Sequence, residues 1–310
     1  MEPLTAVLGP PAGASLLAVV VALPLGLLLA MAVPAWRTAA TAMAPAAGLA
    51  ALAAGLLVPS AVGLHLGWVL TGLQLTLDGL GRPFLLLAGV LWPAAGWFAR
   101  AALAGSAYGR FAGFYLAALT GNVGLCLAGG AVGFYTFYAL MSLAIYGLVI
   151  HPGGRRARRA ANVYLGFTVA GEAALLAALL LGVTEGVLTG PWGLALGVAA
   201  LGIKFGLVPL HVWMPMAYGA APAAAGAVLG GSMVNAGLLG WLRFLPLGGP
   251  ALPGWGQALV LLGAAAAFGG VLAGLVQREP KALLGYSSIS QMGWITLAVG
   301  AALIAPDQWR

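Results

Sequence analysis

Apolar runs long enough to cross a bilayer, roughly 20 residues each, follow one another along the whole chain, separated by charges or by Pro and Gly clusters. They fall at about 4–33, 40–59, 83–100, 111–129, 131–150, 161–182, 191–217, 221–244, 256–276 and 282–304. The pattern predicts ten spans in an all-α, polytopic transmembrane helix bundle. The segment from Ser60 to Arg82, with His65, Gln74 and Asp78, is the longest polar-leaning connection. It fits a segment lying along the membrane surface and leaves its secondary structure open. No charge separates Glu2 from Arg37, and the basic start of a cleaved signal peptide is missing, so the first run reads as a span.

Pro24, Pro209 and Pro215 fall inside predicted spans, and each removes a backbone donor that hydrocarbon cannot replace. Such breaks must face protein or water. Pro209 in particular predicts a broken seventh span with a freed carbonyl near Phe205, a place to hold water. Among 49 glycines, small-xxx-small pairs such as Gly202 with Gly206 and Gly226 with Gly230 predict close helix packing.

Composition closes off the soluble alternatives: 62% of the residues are hydrophobic, 6% are charged and the mean hydropathy is +1.04. A soluble domain carries about a quarter charged residues. The net charge of +7 does not indicate nucleic acid, because the basic residues lie between apolar runs rather than along one solvated face. They read as topology signals. Arg37, Arg100, Arg110, Arg155, Arg156, Arg158, Arg159, Arg278 and Lys281 fall in odd-numbered loops, against Arg82, Arg243 and Arg310 on the other side. By the positive-inside rule both termini lie outside and the Arg155–Arg159 loop is cytoplasmic.

Cys126 is the single cysteine, and His65, His151 and His211 lie far apart with no carboxylate spaced to complete a metal set. No glycine loop precedes a lysine and a hydroxyl as a phosphate cradle would. No cofactor is expected in this chain.

An ionisable group at the middle of a span costs about 2.5–3.5 kcal/mol on insertion scales and is a functional candidate for that reason. Lys204 and Glu172 are the clear cases, at similar depth on consecutive spans. Lys204, His211 and Tyr218 are spaced by seven residues, which on a continuous helix keeps them near one face. One reading is a hydrated path in which the lysine gains and loses a proton. The other is structural: an ion pair of Lys204 with Glu172, a backbone-bonded His211 and an interfacial Tyr218. Asn122, Asn235 and the run Tyr286, Ser287, Ser288, Ser290, Gln291 fit either a water wire or interhelical ties.

The stretch Lys204-Phe-Gly-Leu-Val-Pro-Leu-His-Val-Trp-Met-Pro-Met-Ala-Tyr-Gly-Ala-Ala-Pro222 resembles the signature of the antiporter-like membrane subunits of proton-translocating NADH:quinone oxidoreductase (complex I). Related subunits occur in multisubunit cation/proton antiporters and membrane-bound hydrogenases. Gly230-Gly-Ser-Met-Val-Asn-Ala-Gly237 and Arg278-Glu-Pro-Lys-Ala-Leu-Leu-Gly-Tyr-Ser-Ser-Ile-Ser-Gln-Met-Gly293 are similar to the same family. Leu77-Asp78-Gly79 and Phe137-Tyr-Ala-Leu-Met-Ser-Leu143 match more loosely.

The resemblance implies an inverted-repeat fold, truncated in its second repeat. Helices 1–3 would occupy 1–110, a first five-helix repeat 111–245, and the start of a second repeat 246–310. It implies that Lys204 is the central proton-carrying lysine and that His211 lies on the connecting polar axis; with Glu172, in the place of the family's missing carboxylate, and Tyr218, Asn235 and Lys281 they make up the candidate proton path. It also implies a prokaryotic inner membrane, other membrane subunits as partners, and protons or Na⁺ as cargo. The chain departs from the family in having Ala139 where a glutamate is usual, Asn235 where a lysine is usual and Tyr218 where a second histidine is usual. It also has fewer spans than the family's usual complement. The short carboxyl end implies a partner chain completing the channel, a scaffold subunit, or a fragment of a longer reading frame. Three roles follow: a proton- or Na⁺-translocating membrane-arm subunit of a complex I-like or hydrogenase-like assembly, a structural subunit that has lost transport, or a subunit of a cation/proton antiporter or inorganic-carbon uptake system.

Overall fold

The structure is a computed structural model that describes residues 9–60, 62–67, 72–103, 105–184 and 186–308. Among these residues thirteen α-helices appear in chain order: α1 (Pro10–Ala30), α2 (Pro34–Met43), α3 (Leu49–Leu57), α4 (Gly81–Ala102), α5 (Gly105–Leu127), α6 (Ala131–Ile150), α7 (Gly154–Gly182), α8 (Gly190–Phe205), α9 (Trp213–Ala220), α10 (Ala223–Val228), α11 (Val234–Phe244), α12 (Pro253–Leu275) and α13 (Pro280–Ile304). Among the described residues, nine helical stretches are long and apolar enough to cross a membrane, and α8 is a tenth, shorter apolar helix. Helices dominate because hydrocarbon offers the backbone no partners, so each span must satisfy its own amides. Proline opens α1, α2, α8, α12 and α13, where its missing N–H costs nothing and its fixed φ suits the first turn.

The chain packs as two units. The first comprises Met1–His151 with Pro222–Leu239, the second Pro152–Ala221 with Gly240–Arg310.

In the first unit the open segment before α4 forms a hairpin, β1 (Gly63–Leu66) against β2 (Leu73–Thr76), with His65 opposite Gln74. Leu73 and Leu75 turn inward while Gln74 turns out, the period-two alternation of a half-buried strand. The Gly129 amide donates to the Gln74 carbonyl at 2.9 Å, fixing the hairpin to the end of α5. Arg82, which the charge count treats as a topology signal, also acts locally, its guanidinium donating to the Gly55 and Val58 carbonyls at 2.7 Å each. It thereby satisfies acceptors exposed at the end of α3. A second hairpin, β3 (Val183–Thr184) with β4 (Val187–Leu188), joins α7 to α8 in the second unit.

Among the described residues the most extensive helix–helix packing is that of α12 with α13, along a glycine seam. Gly256, Gly263 and Gly270 recur every seven residues and so share one face of α12. A Cβ at Gly263 would lie 2.6 Å from the Leu297 nitrogen, and one at Gly256 would lie 2.6 Å from the Gly300 carbonyl oxygen. Backbone meets backbone there, the lipid substitute for a hydrophobic core. The pairs singled out in the sequence do not form this seam: Gly226 has open space around its missing side chain, and Gly206 terminates a helix.

Candidate functional site

Gly206, not Pro209, breaks the seventh span. It adopts φ +77°, the left-handed region that favours glycine. The Leu207 amide reaches back to the Gly202 carbonyl at 2.8 Å and the Gly206 amide to Ile203 at 3.2 Å, the paired bonds of a Schellman ending. Pro209 lies beyond the end of α8. The Ile203 carbonyl, in the last turn of α8, also accepts the Trp213 indole N–H at 2.8 Å. Residues 206–212 form turns before α9 begins. The seven-residue spacing of Lys204, His211 and Tyr218 therefore does not place them on one continuous helical face.

Lys204 sits in the last turn of α8, 3% exposed. Its ammonium lies 5.7 Å from the centroid of the Tyr164 ring on α7, within cation–π range. Tyr164, Thr168 and Glu172 are spaced i, i+4, i+8 on α7 and all three are buried, so they form one polar face within an apolar helix. Glu172 acts electrostatically on both Lys204 and Tyr164, and Tyr164 shares a hydrogen bond with Thr168. Trp213 packs edge-on to Tyr164 with ring centroids 5.3 Å apart. Sequence reasoning pairs Lys204 with Glu172 but misses Tyr164 and Trp213. The four-residue spacing of Tyr164, Thr168 and Glu172 is the signal available for the first.

His211 lies in the break and lines a cavity of about 660 Å³ with Arg155, Arg159, Gln277 and Tyr286. Its Nδ1 is buried and has no hydrogen-bond partner among the described residues. Arg156, on the same rim, forms an ion pair with Glu279. Tyr218 is buried on α9 and donates to Ser288 Oγ on α13 at 3.2 Å. Lys281 donates to the Ala221 carbonyl just past the end of α9 at 2.9 Å. These two bonds, with Gly285 set against Pro215, fasten α13 to α9.

Asn235 lies in the other unit, on α11, and donates to the carbonyl of Gly231, one turn before that helix begins, at 2.8 Å. That unit holds a second buried polar group. Asn122 Oδ1 accepts from Trp92 Nε1 at 3.0 Å and from Ser232 Oγ at 2.6 Å, and Tyr115 donates to the Trp92 carbonyl at 2.5 Å. Ser232 occupies a π-helical turn, Leu229–Met233, between α10 and α11. Ala139 lies on α6, half-buried.

The family described as NADH:quinone oxidoreductase/Mrp antiporter, TM matches residues 128–308. The chain belongs to this family. It is an integral membrane protein with the helical fold of the antiporter-like subunits. An uncharacterized protein of Mycobacterium tuberculosis is 34% identical over 263 residues, covering 79% of this chain and 41% of that one. Hydrogenase-4 component B of Escherichia coli is 34% identical over 216 residues, covering 64% of this chain and 32% of that one. In the structure of respiratory complex I from Thermus thermophilus, one chain superposes with a TM-score of 0.70 at 26% identity, covering 92% of this chain and 64% of that one. The chain thus spans less than half the length of these two curated relatives. The family match includes α7 to α9, with the break that holds His211, and α13, and so covers Lys204, Glu172, His211, Tyr218 and Lys281.

Proposed function

We propose that the chain is a membrane-arm subunit of a complex I-like or hydrogenase-like assembly and passes protons, or Na⁺, through Lys204. The observation that carries this reading is the ammonium of Lys204, buried at a helix end over the ring of Tyr164, with Glu172 buried on the helix that carries that ring. A lysine so placed changes its proton affinity whenever a neighbouring charge moves. His211 supplies the link to water, since it opens on the cavity lined by Arg155 and Arg159. Arg155–Arg159, expected in a loop, lie in the first turns of α7; with that end of α7 cytoplasmic and both termini outside, the cavity is the cytoplasmic mouth of the path. In this reading Glu172 does the work usually given to a glutamate at the position of Ala139. The partners are other membrane subunits, one of them completing the channel, in a prokaryotic inner membrane. The division into helices 1–3, a five-helix repeat over 111–245 and the start of a second over 246–310 belongs to the same reading.

A second reading keeps the fold and discards the transport. Lys281, Asn235 and Tyr218 favour it, because each is already engaged in a bond that ties helix to helix or turn to turn. The same fold would also serve a cation/proton antiporter or an inorganic-carbon uptake system. Glu172→Gln separates transport from bracing. It removes the charge with little change in volume, so proton flux should fall at least about tenfold while the assembly forms normally. Flux at the wild-type level would leave the structural reading in possession.

A further inference from the structure

We propose that the arginine-lined cavity of the first unit binds the phosphodiester headgroup of an anionic phospholipid. The cavity, about 700 Å³, is lined by Met31, Arg37, Thr38, Thr41, Ala42, Arg100, Tyr108 and Arg110, among others. The three guanidinium groups come from α2, α4 and α5, so the chain brings them together from positions far apart in sequence. Among the described residues none of the three is in an ion pair, and no carboxylate lines the cavity. Part of their donor capacity is used on backbone: Arg37 Nε bonds the Met31 carbonyl and Arg100 bonds the Ala42 carbonyl, each at 2.9 Å. Those bonds hold two of the forks in place and leave further N–H groups for an incoming anion.

Depth in the membrane identifies the anion. Met31 follows the last turn of the first span, Arg37 begins the second, Arg100 ends the third and Arg110 begins the fourth. All of these are positions at the end of a crossing, where a bilayer offers phosphate. Trp36, Trp97 and Phe98, 62%, 50% and 54% exposed, stand at the same helix ends and are of the type that settles at headgroup level. Arginine matches phosphate oxygens with paired parallel donors, and basic pockets between helix ends suit anionic headgroups. The Tyr108, Thr38 and Thr41 hydroxyls can meet ester or glycerol oxygens, and exposed Leu29 and Val33 can lie along acyl chains.

The test is native mass spectrometry of the intact assembly titrated with phosphatidylglycerol or phosphatidylcholine. Replacing Arg37, Arg100 and Arg110 together by Gln should lower affinity for phosphatidylglycerol by about a hundredfold and leave phosphatidylcholine unchanged. A control carrying Arg155→Gln, Arg158→Gln and Arg159→Gln loses the same charge elsewhere and should retain the binding. Equal losses in the two variants would overturn the site in favour of diffuse attraction. The corresponding triple Arg→Lys variant preserves charge and topology and should still bind about tenfold more weakly; wild-type binding there would also overturn it. Inorganic phosphate should not displace the lipid, and displacement would assign the cavity to a free anion instead.

Discussion

Trp213 donates its indole N–H to the Ile203 carbonyl across the break in the seventh span, 2.8 Å away. The same ring packs on Tyr164, the tyrosine against which Lys204 lies. One side chain therefore closes the end of α8 and sets the wall of the lysine site. Trp213→Phe keeps most of the ring but deletes the donor, and should cost about 1–2 kcal/mol. Trp241 offers the control: it packs on Phe205 with centroids 4.5 Å apart, yet its Nε1 has no hydrogen-bond partner among the described residues. Thermal unfolding should show Trp213→Phe clearly less stable than Trp241→Phe, and equal shifts would mean that the bond across the break contributes nothing.

Asn122 holds Trp92 and Ser232 through one carbonyl oxygen. Asn122→Leu deprives two buried donors of that acceptor and should destabilise by about 1–3 kcal/mol. Ser232→Ala removes a member of the same network, so the double variant should lose less than the two single losses combined. Strict additivity in denaturation would show that the three groups do not act together.

His151 caps α6 outside the span and packs edge-on to Phe111 at 5.5 Å. Partial burial, and then the nearby Arg110 charge, lower its pKa below the usual 6.5. The unfolded chain therefore binds a proton at this site before the folded protein does. Stability is unaffected by this group above the unfolded value and falls as pH drops below it. Melting temperatures at neutral pH and near about pH 5 should diverge more for wild type than for His151→Gln. An identical decline in the two would remove His151 as the cause.

The sequence displays its spans because lipid demands long uninterrupted apolar runs, and ten such runs correspond to the helices from α1 to α13. It displays less of what happens between them. The β1–β2 hairpin rests on four-residue strands such as Leu73–Thr76, too short for alternation to stand out from a polar-leaning connection. The break in the seventh span is legible as an event, but the residue that signals it in the sequence is Pro209. The left-handed turn at Gly206 precedes it, and one glycine among 49 carries no mark of its φ. Lys204 and Glu172 stand out because charge in hydrocarbon is rare. Ser232 and Asn122 bond across 110 positions and Trp213 meets Tyr164 across two helices, relations that only the folded chain supplies.

The account depends most on Lys204. Proton uptake should be followed in vesicles that contain the complete assembly, comparing wild type with Lys204→Ala and with an assembly check on both. The proposed relay predicts that the variant assembles and that its proton flux drops by at least about a hundredfold. Flux equal to wild type in correctly assembled Lys204→Ala would contradict it and leave the lysine a structural residue.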